Sequence, residues 1–97
     1  MKRTTPGPTT FKLRLYVAGD AQNSVQAVAN LAAFCRAYLA DRHEIEVVNV
    51  FQAPERALAD GIFMTPALIK LAPPPIRRVV GTLSQTQPLL DALGLDT

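Results

Sequence analysis

The stretch Phe11-Lys12-Leu13-Arg14-Leu15-Tyr16-Val17-Ala18-Gly19-Asp20-Ala21-Gln22-Asn23-Ser24 decides the fold, because it holds a strand, the turn that ends it and the start of a helix. Phe11, Leu13, Leu15 and Val17 alternate with Lys12, Arg14 and Tyr16, the period-two pattern of a strand with one buried face and one at least partly wet face. Gly19 and Asp20 break the strand. Asn23 or Ser24 is expected to cap a helix, with Gln26 in capping-box position after Asn23. From Val25 to about Leu39, the residues Val28, Leu31, Cys35 and Leu39 recur at helical spacing beside Phe34 and Tyr38, among alanines that favour helix. Asp41 to Glu44 read as a turn, and Ile45, Val47, Val48, Val50 and Phe51 as a second, β-branched strand. Strand, helix and strand within roughly 40 residues make a βαβ unit with parallel strands and a right-handed crossover.

Outward from that unit the pattern is less regular. Pro54 suits a first helical position, Glu55 to about Ala59 make one or two turns with an acid near the positive end, and Gly61 can end them. Thr65-Pro66 introduces a short apolar run, Ala67 to Leu71, whose proline is tolerated only at the entrance. Pro73-Pro74-Pro75 excludes helix interior and central strand. Ile76 to Val80 then read as a strand ending at Gly81. Ser84 or Thr86 is expected to cap a last helix with Leu89, Leu90 and Leu93 buried and Pro88 confined to the first turn. The expected order is βαβαββα.

The chain has 97 residues, 48% of them hydrophobic and 19% charged, which suits one domain with a core and excludes wholesale disorder. Residues 1–10 carry Lys2 and Arg3 but no apolar stretch and read as a flexible lead-in, 11–95 as the domain and 96–97 as its C-terminal end. A formal net charge of +2 is too small to hold a nucleic-acid backbone. No run approaches the ~18 apolar residues that span a bilayer. The single cysteine, Cys35, forbids an intramolecular disulfide or a multi-cysteine zinc site and suits a cytoplasmic protein. With one histidine and no Gly-rich phosphate loop, no metal or cofactor site is expected.

The element order is that of the thioredoxin-like fold, in which a redox Cys-x-x-Cys opens the first helix. Here the turn reads Gly19-Asp20-Ala21-Gln22-Asn23-Ser24, without cysteine, while Thr65-Pro66 stands where the cis-proline loop of that fold belongs. A binding module on an oxidoreductase scaffold is therefore expected, not an enzyme. Cys35, three turns into the helix on its apolar stripe, reads as an inert core thiol, with a Cys35-dependent redox or intermolecular role as the lesser alternative, and His43 reads as a helix-terminal or solvated histidine. Asp20 and Asp60 are each accounted for by a cap or a turn. Two features remain. Pro66, Pro73, Pro74 and Pro75 concentrate slow X-Pro bonds in one segment, which makes either a rigid loop between two strands or a way to hold two states apart kinetically. Lys70, Arg77 and Arg78 flank the triple proline, where adjacent strands are expected to bring them close together, as solvated surface charge in the usual case or as a site for an acidic partner.

The segments Leu13-Arg14-Leu15-Tyr16-Val17-Ala18-Gly19, Asn23-Ser24-Val25, Thr65-Pro66-Ala67-Leu68 and Pro73-Pro74-Pro75-Ile76-Arg77-Arg78-Val79-Val80-Gly81, followed by Leu83-Ser84, resemble the KaiB family of bacterial clock proteins from about Phe11 to Leu95. The resemblance implies a non-enzymatic, fold-switching regulator. Its ground state would be a homo-oligomer, a tetramer or dimer of order βαββααβ, and its active form a thioredoxin-like monomer of order βαβαββα. Implied partners are a KaiC-like ATPase and a KaiA-like protein or clock histidine kinase. By position, Lys70, Arg77 and Arg78 would bind the partner, while Pro66, Pro73, Pro74, Pro75 and Gly81 would lie in the fold-switch region. The sequence departs from the family at Gln26, where a basic residue is usual, and at Ala29 and Ala32, where lysines are usual; it also stops at Thr97 without the family's acidic tail. These departures imply a variant, working with a KaiC-like ATPase or a kinase in timing or stress adaptation.

Overall fold

A computed structural model describes residues 10–95, so the expectations for the lead-in and for 96–97 fall almost wholly outside the described residues. The order is β1 (Phe11–Val17), α1 (Gln22–Tyr38), β2 (His43–Asn49), α2 (Pro54–Ala59), β3 (Ala67–Ala72), β4 (Arg77–Val80) and α3 (Thr86–Leu93). This is the expected βαβαββα and not βαββααβ. The sheet has the strand order β2-β1-β3-β4. β1 runs parallel to β2 and antiparallel to β3, and β3 runs antiparallel to β4.

The alternation in β1 sorts the core into two layers. Phe11, Leu13, Leu15 and Val17 face α1 and α3 and pack with Leu31, Phe34, Cys35, Leu68, Leu89, Leu90 and Leu93. The face of Lys12, Arg14 and Tyr16, expected to be at least partly wet, exposes Lys12 and half-buries Arg14. Tyr16 is fully buried under α2, in a smaller core with Val48, Ala57, Ala67 and Ile69.

Several local expectations are corrected. α1 begins at Gln22 with Ala21 as its cap residue and no side-chain cap. Asn23 and Ser24 thus lie in the first turn, and the Ser24 hydroxyl instead accepts the Ala18 N–H at 3.0 Å, tying the turn to the helix. The buried stripe is Ser24, Ala27, Leu31, Phe34 and Cys35, which leaves Val28 exposed. His43 and Glu44 open β2 by pairing with Phe11 and Lys12, while Val50 and Phe51 lie beyond its end. Neither Ser84 nor Thr86 caps α3 through its side chain; the cap residue is Gln85. Gly94, at φ 72°, closes α3, and the Leu95 N–H returns to the Leu90 carbonyl at 2.9 Å.

The Thr65-Pro66, Ala72-Pro73 and Pro74-Pro75 bonds are cis. Pro66 is buried at the head of β3, while Pro74 and Pro75 are exposed in the β3–β4 turn. Gly81, at φ 116°, takes a conformation that side chains disfavour, and its N–H bonds to the Pro66 carbonyl at 2.9 Å. That bond ties the end of β4 to the start of β3.

Candidate functional site

The turn that carries cysteines in redox relatives of this fold carries none here. Ala18 and Gly19 leave β1, and the Gly19 N–H donates to Asn49 Oδ1 at 3.1 Å, which also accepts the Phe51 N–H at 3.0 Å. Gly19 has φ 59°, and a Cβ placed there would meet the Phe51 ring at 3.5 Å. An exposed phenyl ring therefore stands over this turn, where it can make apolar contact but no covalent chemistry. Cys35 is fully buried, and burial pushes its thiol up to about 11, away from the thiolate needed for exchange. His43 Nδ1 lies 2.8 Å from the Leu39 carbonyl, so this nitrogen carries the proton and donates. Among the described residues, no group of three or more His, Cys, Asp or Glu is placed to hold a metal.

The three basic residues expected to form one group are divided by the sheet. The β3–β4 register places Lys70 opposite Arg77 and Ile69 opposite Arg78. Opposed residues share a face and successive residues alternate, so Lys70 and Arg77 lie on the α1/α3 face and Arg78 on the α2 face. Lys70 is also no surface charge: it is buried, with only 4% of its area exposed, and it faces no carboxylate among the described residues. Burial first, and then the nearby Arg77 charge, lower its pKa. Arg77 and Arg78 are exposed, and Arg78 makes one bond, from Nη1 to the Gly61 carbonyl at 3.3 Å.

On the α2 face, Arg78 and Val80 border a groove of about 250 Å³ lined also by Ile62, Phe63, Met64 and Ile69. Phe63 is 90% exposed and Met64 61%. Apolar side chains this open, beside a sheet edge and two exposed arginines, form a surface suited to a protein partner.

Sequence reasoning missed a polar lattice on the same face. Arg14 Nε donates to Glu46 Oε1 at 2.9 Å, and Arg56 grips the same carboxylate with Nη1 and Nη2 at 2.7 and 2.9 Å. Arg14 Nη1 donates to Asp60 Oδ2 at 3.0 Å, and the buried Tyr16 hydroxyl donates to that same oxygen. The Arg56 bonds, then the one from Arg14, hold the Glu46 carboxyl down to about 2. Tyr16 and then Arg14 hold Asp60 below its ordinary value. This lattice fastens α2 to β1 and β2. The signal for it was Arg14 and Glu46, outward-facing on two strands read as parallel, but their register was not fixed by sequence.

Comparison with known proteins decides what this scaffold is. The KaiB domain family matches residues 14–95. The chain belongs to the KaiB family. It is 43% identical over 84 residues to the circadian clock protein KaiB3 of a Synechocystis strain, covering 87% of this chain and 80% of that one. It is 37% identical over 92 residues to the circadian clock oscillator protein KaiB of Trichodesmium erythraeum, covering 95% and 86%. In structure it is similar to the N-terminal domain of Synechococcus elongatus SasA, with a TM-score of 0.77 at 21% identity over 99% of this chain and 94% of that one. Fasciola hepatica thioredoxin matches at a TM-score of 0.71 and 13% identity over 91% and 82%. At those identities the two structures establish the thioredoxin-like fold alone, and the KaiB relatives are clock proteins. No helix among the described residues is long and apolar enough to cross a membrane.

Proposed function

We propose that this KaiB-family chain is a non-enzymatic clock regulator that acts in the cytoplasm by binding a KaiC-type ATPase, and through that complex a KaiA-type protein or a clock histidine kinase. The observation that carries the reading is the family match over residues 14–95. The cysteine-free β1–α1 turn supports a binding role, and Arg77, Arg78 and the groove beside β4 supply a surface for it. Lys70, buried behind Arg77, shapes the local potential and makes no direct contact. The thioredoxin-like order is the binding form, in exchange with a homo-oligomeric βαββααβ form through the segment of Pro66, Pro73, Pro74, Pro75 and Gly81. Two packings of one sequence need differ by only a few kcal/mol to interchange.

Size-exclusion chromatography with a KaiC-type ATPase and ATP tests the reading. Co-elution after hours of incubation is expected, and separate elution under every nucleotide condition would overturn it. A second reading, a sensory module held permanently in the thioredoxin-like form, is favoured by the thioredoxin-like order itself. Amide NMR separates the two: slow exchange with a second set of peaks supports switching, and one set at all concentrations supports the module.

A further inference from the structure

β4 is the outer strand of the sheet, and its unpaired edge can be worked out residue by residue. The Gly81 N–H bonds to the Pro66 carbonyl at 2.9 Å. In an antiparallel ladder the bonded pairs alternate, and the register pairs Val79 with Leu68 and Arg77 with Lys70. Arg77, Val79 and Gly81 therefore direct their N–H and C=O groups towards β3. Arg78 and Val80 direct theirs outward, and both side chains border the groove on the α2 face. Arg78 and Val80 are exposed, as is Ile76 before them.

Open backbone groups on an edge strand call for another strand. A second copy of this chain does not suit the edge, since β4 carries no carboxylate to face Arg77 and Arg78, and pairing centred on Arg78 sets the two copies' Arg78 side chains opposite each other. The charges here suit the opposite sign: Arg77 on one face and Arg78 on the other, neither in a salt bridge among the described residues, although Arg78 lies near enough to Asp60 to help hold its carboxyl down. We propose that the free edge of β4 accepts an extended, antiparallel segment of a partner protein, with acidic side chains opposite Arg77 and Arg78 and an apolar one opposite Val80, over the groove. Read along the partner, the pattern is apolar, any, acidic, acidic. The proposal rests on the partner-binding function above and names the chemistry of the segment bound. Main-chain bonds to Arg78 and Val80 hold it, Arg77 and Arg78 fix its register, and the groove selects its apolar residue.

The test is an NMR titration of the intact, isotope-labelled chain with two ten-residue peptides, identical except for a centre of Leu-Thr-Glu-Glu or Leu-Thr-Lys-Lys. The acidic peptide is expected to shift the Arg78 and Val80 amides saturably and to bind at least tenfold tighter than the basic one. Val80→Pro removes one outward N–H that β3 does not use, so the fold should persist while binding falls at least tenfold; Val80→Ala should bind. Should Val80→Pro not fold, the acidic peptide N-methylated at its Leu and first Glu amides gives the same reading from the partner's side, since it keeps both charges and loses the main-chain bonds to β4. Equal binding of the two peptides, or shifts away from β4, would overturn the proposal. So would undiminished peptide binding by folded Val80→Pro, which would mark an anion site needing no strand pairing. If the acidic peptide fills the β4 edge but no KaiC-type ATPase co-elutes, the function fails and the edge stands. Should the ATPase bind Val80→Pro as well as the parent chain, the edge fails and the function stands.

Discussion

The two faces of the sheet are held by different physics. On the α1/α3 face, leucines and two phenylalanines from four elements interlock around Leu13, Leu15 and Leu31, each at most 1% exposed. On the α2 face the apolar core is small, and a short helix is fastened over it by Arg14, Glu46, Arg56, Asp60 and Tyr16. Close-packed apolar contact is worth several kcal/mol per side chain, whereas partly exposed ion pairs are worth a fraction of that. The first face therefore sets whether the chain folds. The second sets how firmly α2 and its flanking loops, which line the groove beside β4, are held.

Breaking the first face should cost most. Leu31→Ala is expected to destabilise the domain by about 2–5 kcal/mol. Denaturant titration with far-ultraviolet circular dichroism measures this, and a loss well under 1 kcal/mol would equate the two faces. Tyr16→Phe belongs to the second face and removes only a hydroxyl; loss of its bond to the Asp60 carboxylate should cost about 1.5 kcal/mol. An unchanged midpoint would show that the hydroxyl plays no part in holding α2.

The acid dependence of the lattice is smaller still. The Glu46 carboxyl, held at about 2 against an ordinary value of 4.5, stabilises the folded state fully above that ordinary value and loses the contribution as pH falls through about 2. Asp60 is shifted in the same direction. With 47% of the Glu46 side chain exposed, solvent screening limits its effect to about 1 kcal/mol or less. Glu46→Gln should flatten the acid limb of the stability curve below pH 4.5, and an identical acid limb in the variant would contradict the lattice.

The contrast also marks what the sequence could reveal. Phe11 to Val17 and the Val25–Leu39 segment were legible because periodicity alone reports which side meets an apolar layer. Cap residues were not, because the Ser24 hydroxyl accepts the Ala18 N–H of the preceding turn instead of capping its own helix. The basic group was legible as charge but not as geometry. Arg77 and Arg78 are neighbours in sequence and for that reason lie on opposite faces of a strand, while Lys70 is buried by its place in β3. The Arg14–Glu46–Arg56 lattice depended on a strand register and a helix position that no local pattern encodes.

Arg78→Glu should have the smallest effect on stability, within about 0.5 kcal/mol, since the side chain is exposed and makes one backbone bond. It also tests the central claim most directly, that the outer edge of the sheet serves a partner while the core behind it serves the fold. The decisive measurement is the dissociation constant of the complex with a KaiC-type ATPase and ATP, taken for the parent chain and for Arg78→Glu with matched denaturation curves. The account expects at least tenfold weaker binding at an unchanged midpoint. Equal affinity at an unchanged midpoint would contradict it.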